Sequence, residues 1–215
     1  MIGTSKPTFL LLLFPIMVMG WDVSSFALDS AHIKYYDIEE GRVDYALAGL
    51  SQGTMTLEFK DWGRRSAIRT QSIVSVMGMT QTMNDLIITD GRWVYTIDLA
   101  TGTAIKIENP VLKELKSRRN ASMIQTGRDI MIALGGKEIG TDTILGKTCV
   151  LWENHQMMST SCVWKGLPLQ TTSGISGMEM TQTAVVIQIG SIPDSHVSVP
   201  ADVHIEDGLS HQGAR

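Results

Sequence analysis

The sequence predicts a mainly β chain of the α+β kind, one antiparallel sheet covered by two short helices. Three observations carry this. From Gly41 onward, short runs alternate apolar and polar residues with a period of two. Glycine-containing turns such as Asp90-Gly91 punctuate these runs at hairpin spacing. The period changes to three and four only after Asn109-Pro110, over a stretch too short for a helical domain.

The elements follow in order. Lys6, the apolar run T-F-L-L-L-L-F-P-I-M-V-M-G-W and small residues at Ser25 and Ala27 form the layout of a signal peptide cut before Leu28. An uncleaved anchor helix is the alternative, and Pro15 inside the run argues against it. The expected product is an exported, periplasmic domain over residues 28–206, with a fraying tail at 207–215. No cysteine stands at the cut for lipid attachment. No later window approaches the 18 or so apolar residues of a membrane span, so none is expected after cleavage.

Six strands fit between Gly41 and Glu108. R-V-D-Y-A-L-A-G-L puts Val43, Tyr45 and Leu47 on one face, and G-T-M-T-L-E-F-K does the same with Met55, Leu57 and Phe59. D-W-G turns the chain into the third strand, and T-Q-T-M-N-D-L-I-I-T, R-W-V-Y-T-I-D and A-I-K-I-E supply the rest. Asn109 is then a good N-cap with Pro110 at the first helical position. A second cap at Asn120 opens a helix through Met123, Gly127, Ile130, Met131 and Leu134, stopped by Gly135-Gly136. Four further strands are expected: D-T-I-L-G-K-T-C-V-L-W-E, S-C-V-W-K-G, L-P-L-Q-T-T and M-E-M-T-Q-T-A-V-V-I-Q-I.

Cys149 and Cys162 flank N-H-Q-M-M-S. A hairpin turn centred near His155 and Gln156 sets them opposite each other, within reach of a disulfide. An oxidising compartment favours the bridge over two free thiols.

Composition excludes several functions. Hydrophobic residues are 43% and charged ones 19% of 215, too apolar for wholesale disorder. With 18 basic and 22 acidic residues, the net charge of −4 and the lack of basic runs leave no cationic face for nucleic acid. G-T-D-T-I-L-G-K-T from Gly140 imitates a phosphate loop, but its spacing is one residue too long and a strand follows where a helix is required. No nucleophile elbow, zinc-protease pair or two-cysteine redox motif is present, so no enzyme and no cofactor are expected.

Ten of the 13 methionines lie beyond residue 27, several in close pairs such as Met77/Met79 and Met178/Met180. Two residues apart on a strand, such thioethers face the same way, and soft sulfur selects copper(I). Flexible apolar filling of a pliant cavity wall is the stronger reading.

The meander, with I-T-D-G-R-W-V-Y-T-I-D-L-A-T-G at its centre, the inserted helices, the G-K-T-C-V-L-W-E strand and the ending I-P-D-S-H-V-S-V-P-A-D-V-H-I resemble the LolA/LolB-like superfamily of periplasmic lipoprotein-sorting proteins. The resemblance covers roughly residues 41–206, on generic motifs; the long N-terminal helix of the carriers proper is absent, and no lipoprotein-handling residue matches. It implies a strongly curved sheet or unclosed β-barrel around an apolar cavity for acyl chains. Candidate lining residues are Met55, Leu57, Phe59, Met79, Met131 and Met180. The expected function is a non-enzymatic carrier or sensor of lipid or lipidated protein, with lipid or lipoprotein acyl chains as partners. The alternative is an envelope scaffold with a filled core that binds another envelope protein.

Overall fold

The computed structural model describes residues 33–76, 78–117, 126–175 and 178–207. The signal-peptide segment, Met77, the cap expected at Asn120 and the tail beyond Asp207 lie outside the described residues. Twelve strands form one sheet: β1 (Gly41–Gly49), β2 (Ser51–Lys60), β3 (Arg65–Val76), β4 (Met79–Asp90), β5 (Trp93–Asp98), β6 (Thr103–Glu108), β7 (Lys137–Ile144), β8 (Lys147–Asn154), β9 (Ser159–Trp164), β10 (Leu167–Ile175), β11 (Met178–Ile189) and β12 (His204–Asp207). Their order is β12-β6-β5-β4-β3-β2-β1-β11-β10-β9-β8-β7. The two ends do not pair, so the sheet curls without closing into a barrel. The six strands expected before Asn109 are all present and antiparallel to their sequential neighbours.

Four expectations need correction. D-T-I-L-G-K-T-C-V-L-W-E is two strands, β7 and β8, joined by a turn at Leu145 and Gly146 with φ of 50° and 71°. Leucine carries no turn signal, which is why the run reads as continuous. The β8–β9 register pairs Leu151, not Cys149, with Cys162, because the turn lies one residue further on than expected. The cysteines are therefore diagonal neighbours, with Cα atoms 5.3 Å apart, and they are bonded. The second described helix begins at Gly127 under a Thr126 cap. Lastly, β12 runs parallel to β6 as a four-residue edge, so the sheet is mostly rather than wholly antiparallel.

Helix α1 (Pro110–Lys116) starts as the sequence dictates: the Asn109 side chain accepts from the Val111 and Leu112 N–H groups, and Pro110 needs no partner there. Helix α2 (Gly127–Ala133) carries a capping box in which Thr126 and Asp129 satisfy each other's donors. At seven residues apiece neither helix would persist alone. Leu112 and Leu115 of α1, Ile130 of α2 and Ile33 form a buried cluster that holds both.

The sheet has two covered faces. On the inner face Tyr36 packs its ring on Phe59, with centroids 4.7 Å apart, beside Val43, Tyr45, Leu57 and Ile68. Ala67, next to Ile68 in β3, points the other way and joins Leu86, Ile88, Ile97 and Ala104 beneath Ile192 and Val197. The segment after β11, with a 3-10 turn at Asp194–Val197, thus straps the outer face. Lys60 fastens it by donating to the Ile192 carbonyl at 2.8 Å and pairing with Asp194 at 3.2 Å. Hydrogen bonding from Lys60, and then from Arg65, holds the Asp194 carboxyl below its ordinary range.

Candidate ligand-binding cavity

A cavity of about 600 Å³ opens between helix α2, residues 35–37 and strands β8–β10. The local chain conformation accounts for each wall. Tyr35 and Tyr36 donate their N–H groups to the Trp62 carbonyl, and Asp37 donates to the Lys165 carbonyl, which pins this extended segment across one end of the sheet. Gly127 and Gly166 come so close to it that a Cβ on either would lie 2.2 Å and 2.3 Å from the Tyr35 carbonyl oxygen. At Gly166 the φ of +81° independently requires glycine. At the other end of α2, Asn154 Nδ2 donates to the Leu134 carbonyl at 3.0 Å.

The floor follows from the strand register. Trp152 pairs with Ser161, Val150 with Val163, Ser161 with Thr171 and Val163 with Pro168, so these side chains share one face beneath the helix. Ile130 and Met131 of α2 form the roof, and Tyr35 and Tyr36 the end wall. Charge is confined to Asp37, Arg128, Glu138 and Lys165; Arg128 Nε and Glu138 Oε1, both exposed, are 2.9 Å apart and tie α2 to the edge strand β7. An apolar chamber with a few polar groups at its border is the composition of a small-molecule site, and the volume lies within the usual range of about 300–1,000 Å³. Burial pushes the Tyr35 and Tyr36 phenols up to about 12, so both remain neutral donors at physiological pH.

The six sequence candidates divide. Met131 lines this cavity. Leu57 and Phe59 are buried in the inner-face core, with Met55 packed against them. Met79 is 73% exposed and Met180 37% exposed, both toward strand ends away from the cavity. The wall residues Trp152, Val163 and Pro168 went unmarked in the sequence. The signal for Trp152 was its alternation with Val150 in T-C-V-L-W-E, but alternation alone does not say which face is covered.

Other chemistries find little support. The Gly140–Thr148 segment is a hairpin, with no helix to receive phosphate. Among the described residues no group of three or more His, Cys, Asp or Glu could hold a metal. The histidine–carboxylate pairs His155–Glu153 and His196–Glu58 both lie outside the cavity. No helix among the described residues is long and apolar enough to cross a membrane.

No protein-family model matches the sequence, and no curated protein matches it at a significant level. Solved structures do resemble the fold. An uncharacterised conserved protein from Thermus thermophilus superposes with a TM-score of 0.53 at 6% identity, over 82% of this chain and 94% of that one. A chain of the Pseudomonas aeruginosa MucA/MucB complex gives 0.38 at 11% identity, over 82% of this chain and 59% of that one. LprF from Mycobacterium bovis gives 0.33 at 10%, over 81% and 94%. At these identities the likeness is one of fold, and the two looser matches add nothing to it.

Proposed function

We propose that this chain is an exported, periplasmic, non-enzymatic carrier or sensor that shelters acyl chains, of free lipid or of a lipidated protein, in the manner of the LolA/LolB-like superfamily. The observation that carries the reading is the cavity of about 600 Å³ under α2, walled by Tyr, Trp, Val, Pro, Ile and Met side chains with charges only at its border. Acyl chains are flexible and apolar, and such a wall gains by covering them while requiring no hydrogen bonds from them. Export rests on the apolar leader with Ser25 and Ala27 before Leu28, and N-terminal sequencing of the secreted form tests it.

Native mass spectrometry of the purified protein tests the ligand. Co-purified lipid, or saturable uptake of a fluorescent fatty-acid probe, is expected. Val163→Trp, which fills the chamber from its floor, weakens uptake roughly tenfold. A protein that is empty and also ignores the probe sinks the reading and leaves a scaffold with a filled core.

A further inference from the structure

With no bulge from β2 to β6, one row of inner-face residues can be followed across the sheet: Leu57 pairs with Ile68, Ile68 with Ile87, Ile87 with Thr96 and Thr96 with Ile105. Counting outward from this row, every Lys, Arg and Glu of β1–β6 falls on the outer face. Only two charged side chains of these strands fall on the inner face, Asp85 and Asp98, and they pair directly with each other across β4 and β5. Like charges in that position repel, at Cβ separations of about 5 Å. No Lys or Arg among the described residues pairs with either; the Asp98 carboxylate accepts from the Ala100 N–H at 2.8 Å, and its carbonyl from the Gly102 N–H at 2.9 Å.

In the same row Asp85 is flanked by Thr70 and Asp98 by Thr103, and the neighbouring rows carry partly exposed apolar side chains. Met83 is 38% exposed, Ile105 54% and Ile107 40%, all on this face. Beside Met83 on β3, Ser72 is 5% exposed, yet its hydroxyl has no hydrogen-bond partner among the described residues. A face of threonines and partly exposed apolar side chains, whose only formal charge is a pair of carboxylates without a Lys or Arg partner among the described residues, complements an amphiphile with a cationic head.

We propose that the β4–β6 half of the inner face receives a lipid whose head group carries a protonated amine, with Asp85 and Asp98 on the ammonium and the acyl chains along Met83, Ile105 and Ile107. This rests on the acyl-chain reading above and adds to the cavity under α2 a second stretch of lipid-binding surface, on β4–β6, that shares no lining residue with it. Flexible Met side chains accommodate chains of variable shape. The ammonium relieves the repulsion between the two carboxylates, which neither a fatty-acid carboxylate nor a phosphatidylglycerol head can do.

The test is native mass spectrometry of the full exported protein with an equimolar mixture of phosphatidylethanolamine, phosphatidylglycerol and free fatty acid of matched chain length. The expected result is about a fivefold preference for phosphatidylethanolamine, the scale of one partly exposed ion pair. The isosteric double variant Asp85→Asn/Asp98→Asn is expected to bind all three equally while keeping its circular dichroism spectrum. Equal binding by the wild type, or a preference that survives in the double variant, overturns the head-group assignment and leaves the carrier reading standing. Failure to bind any lipid overturns both. Uptake of a lysine-bearing amphipathic peptide in place of phosphatidylethanolamine overturns the lipid assignment in favour of a protein partner.

Discussion

Tyr45 is 1% exposed on β1 and donates its hydroxyl to the Pro168 carbonyl of β10 at 2.9 Å, linking two strands that are not neighbours. Tyr45→Phe leaves that half-buried carbonyl with one partner fewer and is expected to cost about 1 kcal/mol in urea unfolding. Burial also raises the phenols of Tyr35 and Tyr36 to about 12 and moves Tyr45 in the same direction. The folded protein therefore holds these protons more tightly than the unfolded chain, whose phenols titrate near 10.0. That stabilisation is complete below the unfolded value and is lost as the pH rises from there towards about 12, by about 1.4 kcal/mol per pH unit for each phenol. Urea unfolding at stepped alkaline pH should show this decline, with a shallower slope in Tyr36→Phe. A slope unchanged by that substitution would show that its phenol does not contribute.

Among the elements, α2 matters most to the candidate site, because it roofs the cavity from about two capped turns. Thr126→Ala removes the hydroxyl that accepts from the Asp129 N–H, keeps the backbone arm to the Asp129 carboxylate, and is expected to cost about 1 kcal/mol. It should also raise amide exchange across residues 127–133 without altering exchange in β1–β3. Gly127→Val is expected to cost more, about 2–3 kcal/mol, because the new side chain meets the Tyr35 carbonyl, and it should loosen ligand uptake as the helix lifts. Identical exchange rates in Thr126→Ala and wild type would mean that packing of Ile130, rather than the cap, fixes the helix.

For the whole molecule, the Cys149–Cys162 bond ties β8 to β9 in the half of the sheet that floors the cavity. Cys149→Ser/Cys162→Ser is expected to cost on the order of 3 kcal/mol by the chain-entropy estimate for a loop of this length. A reductant should lower the unfolding midpoint of the wild type and not that of the variant. The sheet as a whole separates its charges by face in β1–β6, which leaves an inner face able to hold apolar material while the outer face is solvated or strapped by Ile192 and Val197.

How much of this was legible beforehand depended on whether the signal was local. Alternation in β1–β6, the Asn109-Pro110 start and the two cysteines are local patterns, each with a direct physical cause, and the structure agrees with them. The Leu145-Gly146 turn was hidden because a left-handed leucine is unusual, and the β8–β9 register slipped because turn length moves it by single residues. Cavity residues were the least legible. Met79 and Met131 look alike in sequence, yet one is exposed near a strand end and the other roofs the chamber. The sequence alone therefore determined the strands β1–β6, the start of α1 and the disulfide, since backbone sterics and periodicity act over a few residues. Only the tertiary structure decided which faces are covered and where the hollow lies, because both depend on how far the sheet curls and on what returns across it from distant chain.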